Sequence, residues 1–146
     1  MTNEHQYTVV VGVDGSPTSR MALRWGLWHA GLAGGALTAV MAWDMPLRYG
    51  WSGPGLDEFE DDAARALDEV VEKVGTVAGT VPVTKRIGQG HPAKVIIEVA
   101  GKVGADLVVV GNRGHGGFTE AMLGSTGQYT VHHAHCPVVV VRESTI

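Results

Sequence analysis

Val108-Val109-Val110-Gly111-Asn112-Arg113-Gly114 is followed after nine residues by Gly124-Ser125-Thr126. An apolar, β-branched run passes straight into a glycine-rich loop and then into a new helix start. Glycines let backbone N–H groups approach an anion closely and tolerate positive φ. Ser125 and Thr126 open a helix whose free N–H groups and positive dipole end favour a phosphate. The outline is that of a phosphate cradle between a strand and a helix. A plain strand–helix link is usually a few residues long, whereas this one runs from Asn112 to Gly124.

The same alternation recurs along the chain. Tyr7 to Val13 reads as a buried strand, ended by Asp14-Gly15-Ser16-Pro17. Ser16 is placed to N-cap the next helix, with Pro17 at its first position. Met21, Trp25, Trp28 and Leu32 follow at helical spacing, and the tryptophans are read as packing residues. Gly34-Gly35 stops that helix. Ala36 to Trp43 is a second strand, and Asp44 to Gly55 an irregular loop. Leu56 to Ala78 is a helix with Phe59, Ala63, Leu67, Val70, Val74 and Val77 inward. Its acids, Asp57, Glu58, Glu60, Asp61 and Asp62, form a solvated face that also suits a helix N-terminus. Val81 to Ile87 is the third strand, and Pro92 to Val103 the third helix, with Ile96, Val99 and Val103 on one face and Gly104 as its stop. Asp106 to Val110, Ser125 to Ala134 and Pro137 to Val141 complete the series as strand, helix and strand.

The order is β-α-β-α-β-α-β-α-β. Valine runs of this kind indicate strands buried on both faces, hence a parallel sheet between two helix layers. Right-handed crossovers restrict it to a doubly wound α/β sheet. Ligands of such sheets bind beyond the carboxyl ends of the strands, where strand order reverses. The suggestive carboxyl ends are the first, at Asp14-Gly15-Ser16, and the fourth, at Gly111 to Gly114; a site there requires the two strands to be neighbours.

Bulk properties narrow the function classes. At 146 residues the chain is most economically one domain over 1–146, with 1–6 as a flexible terminus. A net charge of −4 argues against non-specific nucleic-acid binding. One cysteine, Cys136, makes no internal disulfide and points to a reducing compartment. No apolar run approaches a membrane span, so a cytoplasmic protein is expected.

Competing motifs are weaker. No Gly-Lys-Ser/Thr follows a glycine, which disfavours a P-loop NTPase. Gly88-Gln89-Gly90-His91-Pro92-Ala93 formally matches a dinucleotide fingerprint, but it follows the third strand, and its acid would be Asp106, which begins a strand. It reads as turn and helix-start chemistry. His132, His133, His135 and Cys136 straddle a helix end and a strand start, so divergent side chains and no metal site are expected.

The chain resembles the universal stress protein family, in particular its ATP-binding branch. The resemblance rests on Val9-Val10-Val11-Gly12-Val13-Asp14-Gly15-Ser16, on 105–111, on Arg113-Gly114-His115-Gly116-Gly117-Phe118, on Leu123-Gly124-Ser125-Thr126 and on 132–142. The spacing Gly-(two)-Gly-(nine)-Gly-Ser is that family's ATP motif. The resemblance implies a Rossmann-like fold of the adenine nucleotide α-hydrolase type, a five-stranded parallel sheet in order 3-2-1-4-5. It implies Val13 and Asp14 by the nucleoside and Ala42 at the adenine edge. Gly111, Arg113 and Gly114 would surround the ribose and phosphates, and Gly124, Ser125 and Thr126 would hold the phosphates. The implied ligand is ATP, with or without Mg2+, and the implied role a nucleotide-dependent sensor or regulator in the stress response with at most slow hydrolysis. A homodimer through Val138–Arg142 is implied as well. Two departures stand out: Gly127, where many relatives carry Ser or Thr, and His115, at an often basic place. The alternative is a dimeric interaction module that binds no nucleotide. A nucleotide-using transferase lacks identifiable second-substrate residues.

Overall fold

The computed structural model describes residues 5–44, 56–75, 80–113 and 123–143. Its elements alternate: β1 (Thr8–Gly12), α1 (Pro17–Ala33), β2 (Ala36–Trp43), α2 (Leu56–Gly75), β3 (Val83–Gln89), α3 (Pro92–Val103), β4 (Leu107–Gly111), α4 (Ser125–His133) and β5 (Val138–Val141). All nine coincide with the elements expected from the sequence, with ends moved by up to two residues; the expected end of α2 at Ala78 lies outside the described residues. The strands form one parallel sheet in order β3-β2-β1-β4-β5. The family resemblance implied this order.

Two apolar layers hold the sheet. Val9, Val11, Leu37, Ala39, Leu107 and Val109 face α1 and α2. Val10, Val40, Val108 and Val110 face α3 and its Val95, Ile96 and Val99. The alternation along each strand therefore serves two cores instead of one core and solvent, which is why the strands read as unbroken apolar runs. On α2, Ala63, Leu67, Val70 and Val74 are buried and the five early acids are exposed.

Helix ends follow the local chemistry. The Ser16 side chain accepts from Ser19 N, Pro17 opens α1, and Gly34 closes it at φ 66°. Gly104 closes α3 at φ 64°. The fingerprint-like segment is a turn into α3, as expected: Gly90 has φ 128° and His91 caps the helix through its ring nitrogen.

The face of α1 corrects a sequence expectation. Its buried side is Ala22, Leu23, Gly26, Leu27 and Ala30, while Trp28 is 58% and Leu32 69% exposed. A Cβ at Gly26 would lie 2.7 Å from Val11 Cγ2. The helix thus packs close to the sheet through small residues; of the bulky stripe, Trp28 and Leu32 are exposed, Met21 and Trp25 are half-buried with Trp25 against the core, and all four line a groove with Val74 and Val141. Both stripes have helical period, and only the distance between helix and sheet chooses between them.

Candidate functional site

The site is built where strand order reverses. From β1 the chain turns into α1 on one face of the sheet; from β4 it passes towards α4, which packs beside α3 on the other. Adjacent parallel strands whose helices diverge leave a crevice at their carboxyl ends. Here that crevice is a cleft of about 340 Å³, within the range of about 300–1,000 Å³ usual for small-molecule sites.

Its first wall is the β1–α1 turn. Val13 continues β1, its N–H donating to Val40 O at 2.8 Å. Asp14 follows, and its Oδ1 accepts from Ser16 N at 2.8 Å, a tight side-chain turn that Gly15 completes at φ 81°. Ser19 Oγ accepts from Asp14 N at 3.2 Å and donates to Ser16 O at 3.0 Å. Local hydroxyl and carboxylate chemistry thus sets the direction of the Asp14 backbone.

The second wall is the β4–α4 segment. Gly111 ends β4; a Cβ there would meet Thr18 Oγ1 at 2.8 Å. Its lack of a side chain is required by the close passage of α1. Neither Gly111 nor Gly124 has positive φ, so close approach, and not left-handed backbone, is the service Gly111 performs. Asn112 N donates to Val141 O at 2.9 Å, and Asn112 O accepts from Gly124 N at 2.8 Å. This second bond brings the N-terminus of α4 back over the end of β4. Thr18 Oγ1 donates to Arg113 O, tying the loop to α1. The Arg113 guanidinium pairs with Glu143 just past β5, at 2.6 Å.

The third feature is the α4 N-terminus. Gly124 is its N-cap, with φ −64° and no side-chain cap bond. The first intrahelical bond runs from Gln128 N to Gly124 O, so the N–H groups of Ser125, Thr126 and Gly127 precede it. Such a terminus supplies donors and a positive field to an anion. Opposite it, Pro92 and Ile96 of α3, Val40 and Ala42 of β2, and Gly12 and Val110 supply an apolar wall.

Eight of the nine residues expected at the site line this one cleft: Val13, Asp14, Ala42, Gly111, Arg113, Gly124, Ser125 and Thr126. The ninth, Gly114, lies outside the described residues, as do His115 and Trp51. Trp43 packs against the α1/α2 core. The sequence reading passed over Ser19 and Asn112. Ser19 carried a signal, standing three residues after the Ser16 cap. Asn112 sits inside the glycine motif itself, but its 4% exposure depends on the fold. Gly127 also lines the cleft, and a Cβ there would come 2.6 Å from Leu123 Cδ1. A hydroxyl-bearing residue at 127 would therefore have to displace Leu123.

The donor set fits a nucleotide. An uncapped helix terminus takes phosphate, an apolar wall takes a base, and Asp14 and Asn112 offer oxygen acceptors for hydroxyl groups. Elsewhere, the Tyr129 and His133 rings pack at 4.1 Å. Among the described residues, no three His, Cys, Asp or Glu side chains come together to hold a metal. Burial, and then the charge of Asp106, push the Cys136 thiol above its ordinary value. No described helix is long and apolar enough to cross a membrane.

Known proteins agree with this architecture. The family model described as "Universal stress protein family" matches residues 7–142. Universal stress protein Rv2005c of Mycobacterium tuberculosis is 33% identical over 136 residues, covering 93% of this chain and 45% of that protein. The chain spans about half the length of the curated relatives it matches. Among solved structures, universal stress protein UspA from Lactobacillus plantarum superposes with a TM-score of 0.76 at 26% identity, covering 96% of this chain and all of that one. A universal stress protein in complex with cAMP superposes with a TM-score of 0.75 at 25% identity, covering 97% of this chain and all of that one. The chain belongs to the universal stress protein family.

Proposed function

We propose that this chain binds ATP in the cleft between β1 and β4 and acts as a nucleotide-dependent regulator in a cytoplasmic stress response. One observation carries the reading: residues as far apart in sequence as Asp14, Ala42 and Thr126 converge on one cleft beside an uncapped helix N-terminus. The relative solved with cAMP supports an adenine nucleotide as the ligand class. In this reading Ala42 meets the adenine edge, and Val13 and Asp14 lie by the nucleoside. Gly111, Arg113 and Gly114 surround the ribose and phosphates, and Gly124, Ser125 and Thr126 hold the phosphates. A Mg2+ ion, when present, would supply further charge neutralisation at the phosphates. Hydrolysis is slow. Asp14 is the one carboxylate among the described lining residues, and it is already engaged by Ser16 N. A general base needs a proton-accepting group within reach of the attacking water.

The test is to denature the purified protein, identify any nucleotide released, and titrate the protein with Mg-ATP. ATP binding by the wild type, lost in Asp14→Ala and Gly124→Val, is the expected result. Absence of any bound nucleotide and of any titration signal would transfer the reading to an interaction module without nucleotide. Phosphate release faster than about one turnover per second would make it an enzyme of ordinary speed.

The chain also forms a homodimer, in this reading, through antiparallel pairing of Val138–Arg142 across a two-fold axis. β5 is the sheet edge and all four of its valines are only partly buried, a pairing surface that a monomer leaves open. Pro137 O and Val141 O bond to β4, so the backbone groups of Val138 and Val140 point to the open edge. Sedimentation should show a dimer at micromolar concentration for the wild type and a folded monomer for Val140→Pro. A wild-type monomer at that concentration sinks the dimer.

A further inference from the structure

Asn112 lines the cleft on its second wall and is 4% exposed. Its backbone is fully used, the N–H by Val141 O and the carbonyl by Gly124 N. Its side-chain Oδ1 has no hydrogen-bond partner, and among the described residues no other buried side-chain polar atom is left in that state. A buried acceptor without a donor costs stability, and native folds seldom keep one without a use. A leucine would fill similar volume at no such cost. Beside this unpaired acceptor stands the α4 terminus, whose first-turn donors have no side-chain cap. One wall of the cleft therefore asks for an anion and for a hydrogen-bond donor at the same time.

We infer that Asn112 Oδ1 accepts a hydrogen bond from a ribose hydroxyl of the bound nucleotide, which makes this cleft select ribonucleotides over a deoxyribonucleotide. The inference rests on the nucleotide reading above. Ionised phosphate oxygens only accept hydrogen bonds, so they suit the α4 N–H groups and leave Oδ1 unsatisfied. The amino group of adenine is a donor but sits with Ala42 on β2. β1 separates β2 from β4, placing the base about 9–10 Å across the sheet from the Asn112 strand. The sugar lies between base and phosphate, and its hydroxyls are the donors within reach of a residue next to Gly124. Oδ1 is closed off from solvent, so the amide turns about its side chain to meet the sugar hydroxyl.

Binding of ATP, 2′-deoxy-ATP and 3′-deoxy-ATP to the wild type, Asn112→Ala and Asn112→Leu, each with and without Mg2+, tests this directly. The wild type should bind one of the two deoxy analogues about tenfold more weakly than ATP, the factor expected for one neutral hydrogen bond. Both variants should bind ATP about tenfold more weakly and lose the discrimination. Their thermal midpoints should hold or rise, because an unpaired buried amide has been removed. Equal binding of all three nucleotides by the wild type overturns the inference and leaves nucleotide binding standing. A loss in the variants that is equal for all three sugars and appears only with Mg2+ overturns it in favour of a cation ligand. A fall in midpoint with discrimination retained overturns it in favour of a structural role. Failure of the wild type to bind any of the three removes the nucleotide reading and this inference with it.

Discussion

Two helices begin at the same edge of the sheet and solve the same problem differently. At α1 the first-turn donors are met from within: Ser16 Oγ accepts from Ser19 N, and Asp14 Oδ1 accepts from Ser16 N. At α4 the cap is Gly124, which has no side chain to offer. The difference separates a terminus that is finished by its own sequence from one that leaves donors for an outside anion. α3 belongs with α1, since His91 Nδ1 accepts from Ala93 N. The uncapped terminus is also the one that stands beside an unpaired acceptor, at Asn112.

Giving α4 the cap that α1 has should produce the largest effect. Gly124 has φ −64° and ψ 166°, which any residue adopts, so Gly124→Asp keeps the backbone. The new carboxylate meets the first-turn N–H groups and raises stability by a few tenths of a kcal/mol. It also occupies the phosphate position and repels the anion, so ATP affinity should fall about 100-fold or more, equivalent to about 2.7 kcal/mol. Calorimetric titration and denaturant melts read the two opposite signs; unchanged ATP affinity would show that α4 does not hold the phosphates.

The converse change is smaller and of the other kind. Ser16→Ala strips the cap from α1 and should cost about 1 kcal/mol in denaturant unfolding. Ser16 does not line the cleft, so ATP affinity should stay within about threefold. A large loss of affinity with little loss of stability would mean that the two termini are not functionally distinct.

The smallest effect lies at the opposite end of β5. Burial raises the Cys136 thiol above its ordinary value, with Asp106 adding to the shift. A raised folded value favours the fold below the unfolded thiol value, and that contribution is lost as pH rises through the folded value. Alkylation with iodoacetamide should therefore show a pH midpoint above that of the urea-unfolded chain, with no response to ATP. A midpoint at or below the unfolded one would contradict the burial.

Much of this architecture is legible in the sequence. Ser16, Pro17, Gly34 and Gly104 act at helix ends through chemistry that spans only a few residues, and local chemistry is what a sequence displays. The apolar valine runs announced strands covered on both faces. The reading failed on α1, where two stripes of helical period compete. The sheet accepted Ala22, Gly26 and Ala30 and left Trp28 outside, a choice that depends on how close Val11 comes to Gly26. It also left open which service Gly111 performs, since the close approach there is set by Thr18, which stands 93 positions earlier.

The alternation of strands and helices, the caps, and the glycine spacing that marks the β4–α4 loop are written in the chain. These follow from the φ/ψ freedom, hydrogen-bonding groups and apolar period of residues near one another in the chain. What that loop faces is set by the packing of remote segments. The pairing of β1 with β4 brings Asp14 to Gly111 and opens the cleft; the bond from Gly124 N to Asn112 O folds α4 over it; and burial turns an ordinary asparagine into an unpaired acceptor. Each of these is a property of distance and solvent exclusion between remote segments, and a linear pattern of residues does not contain it.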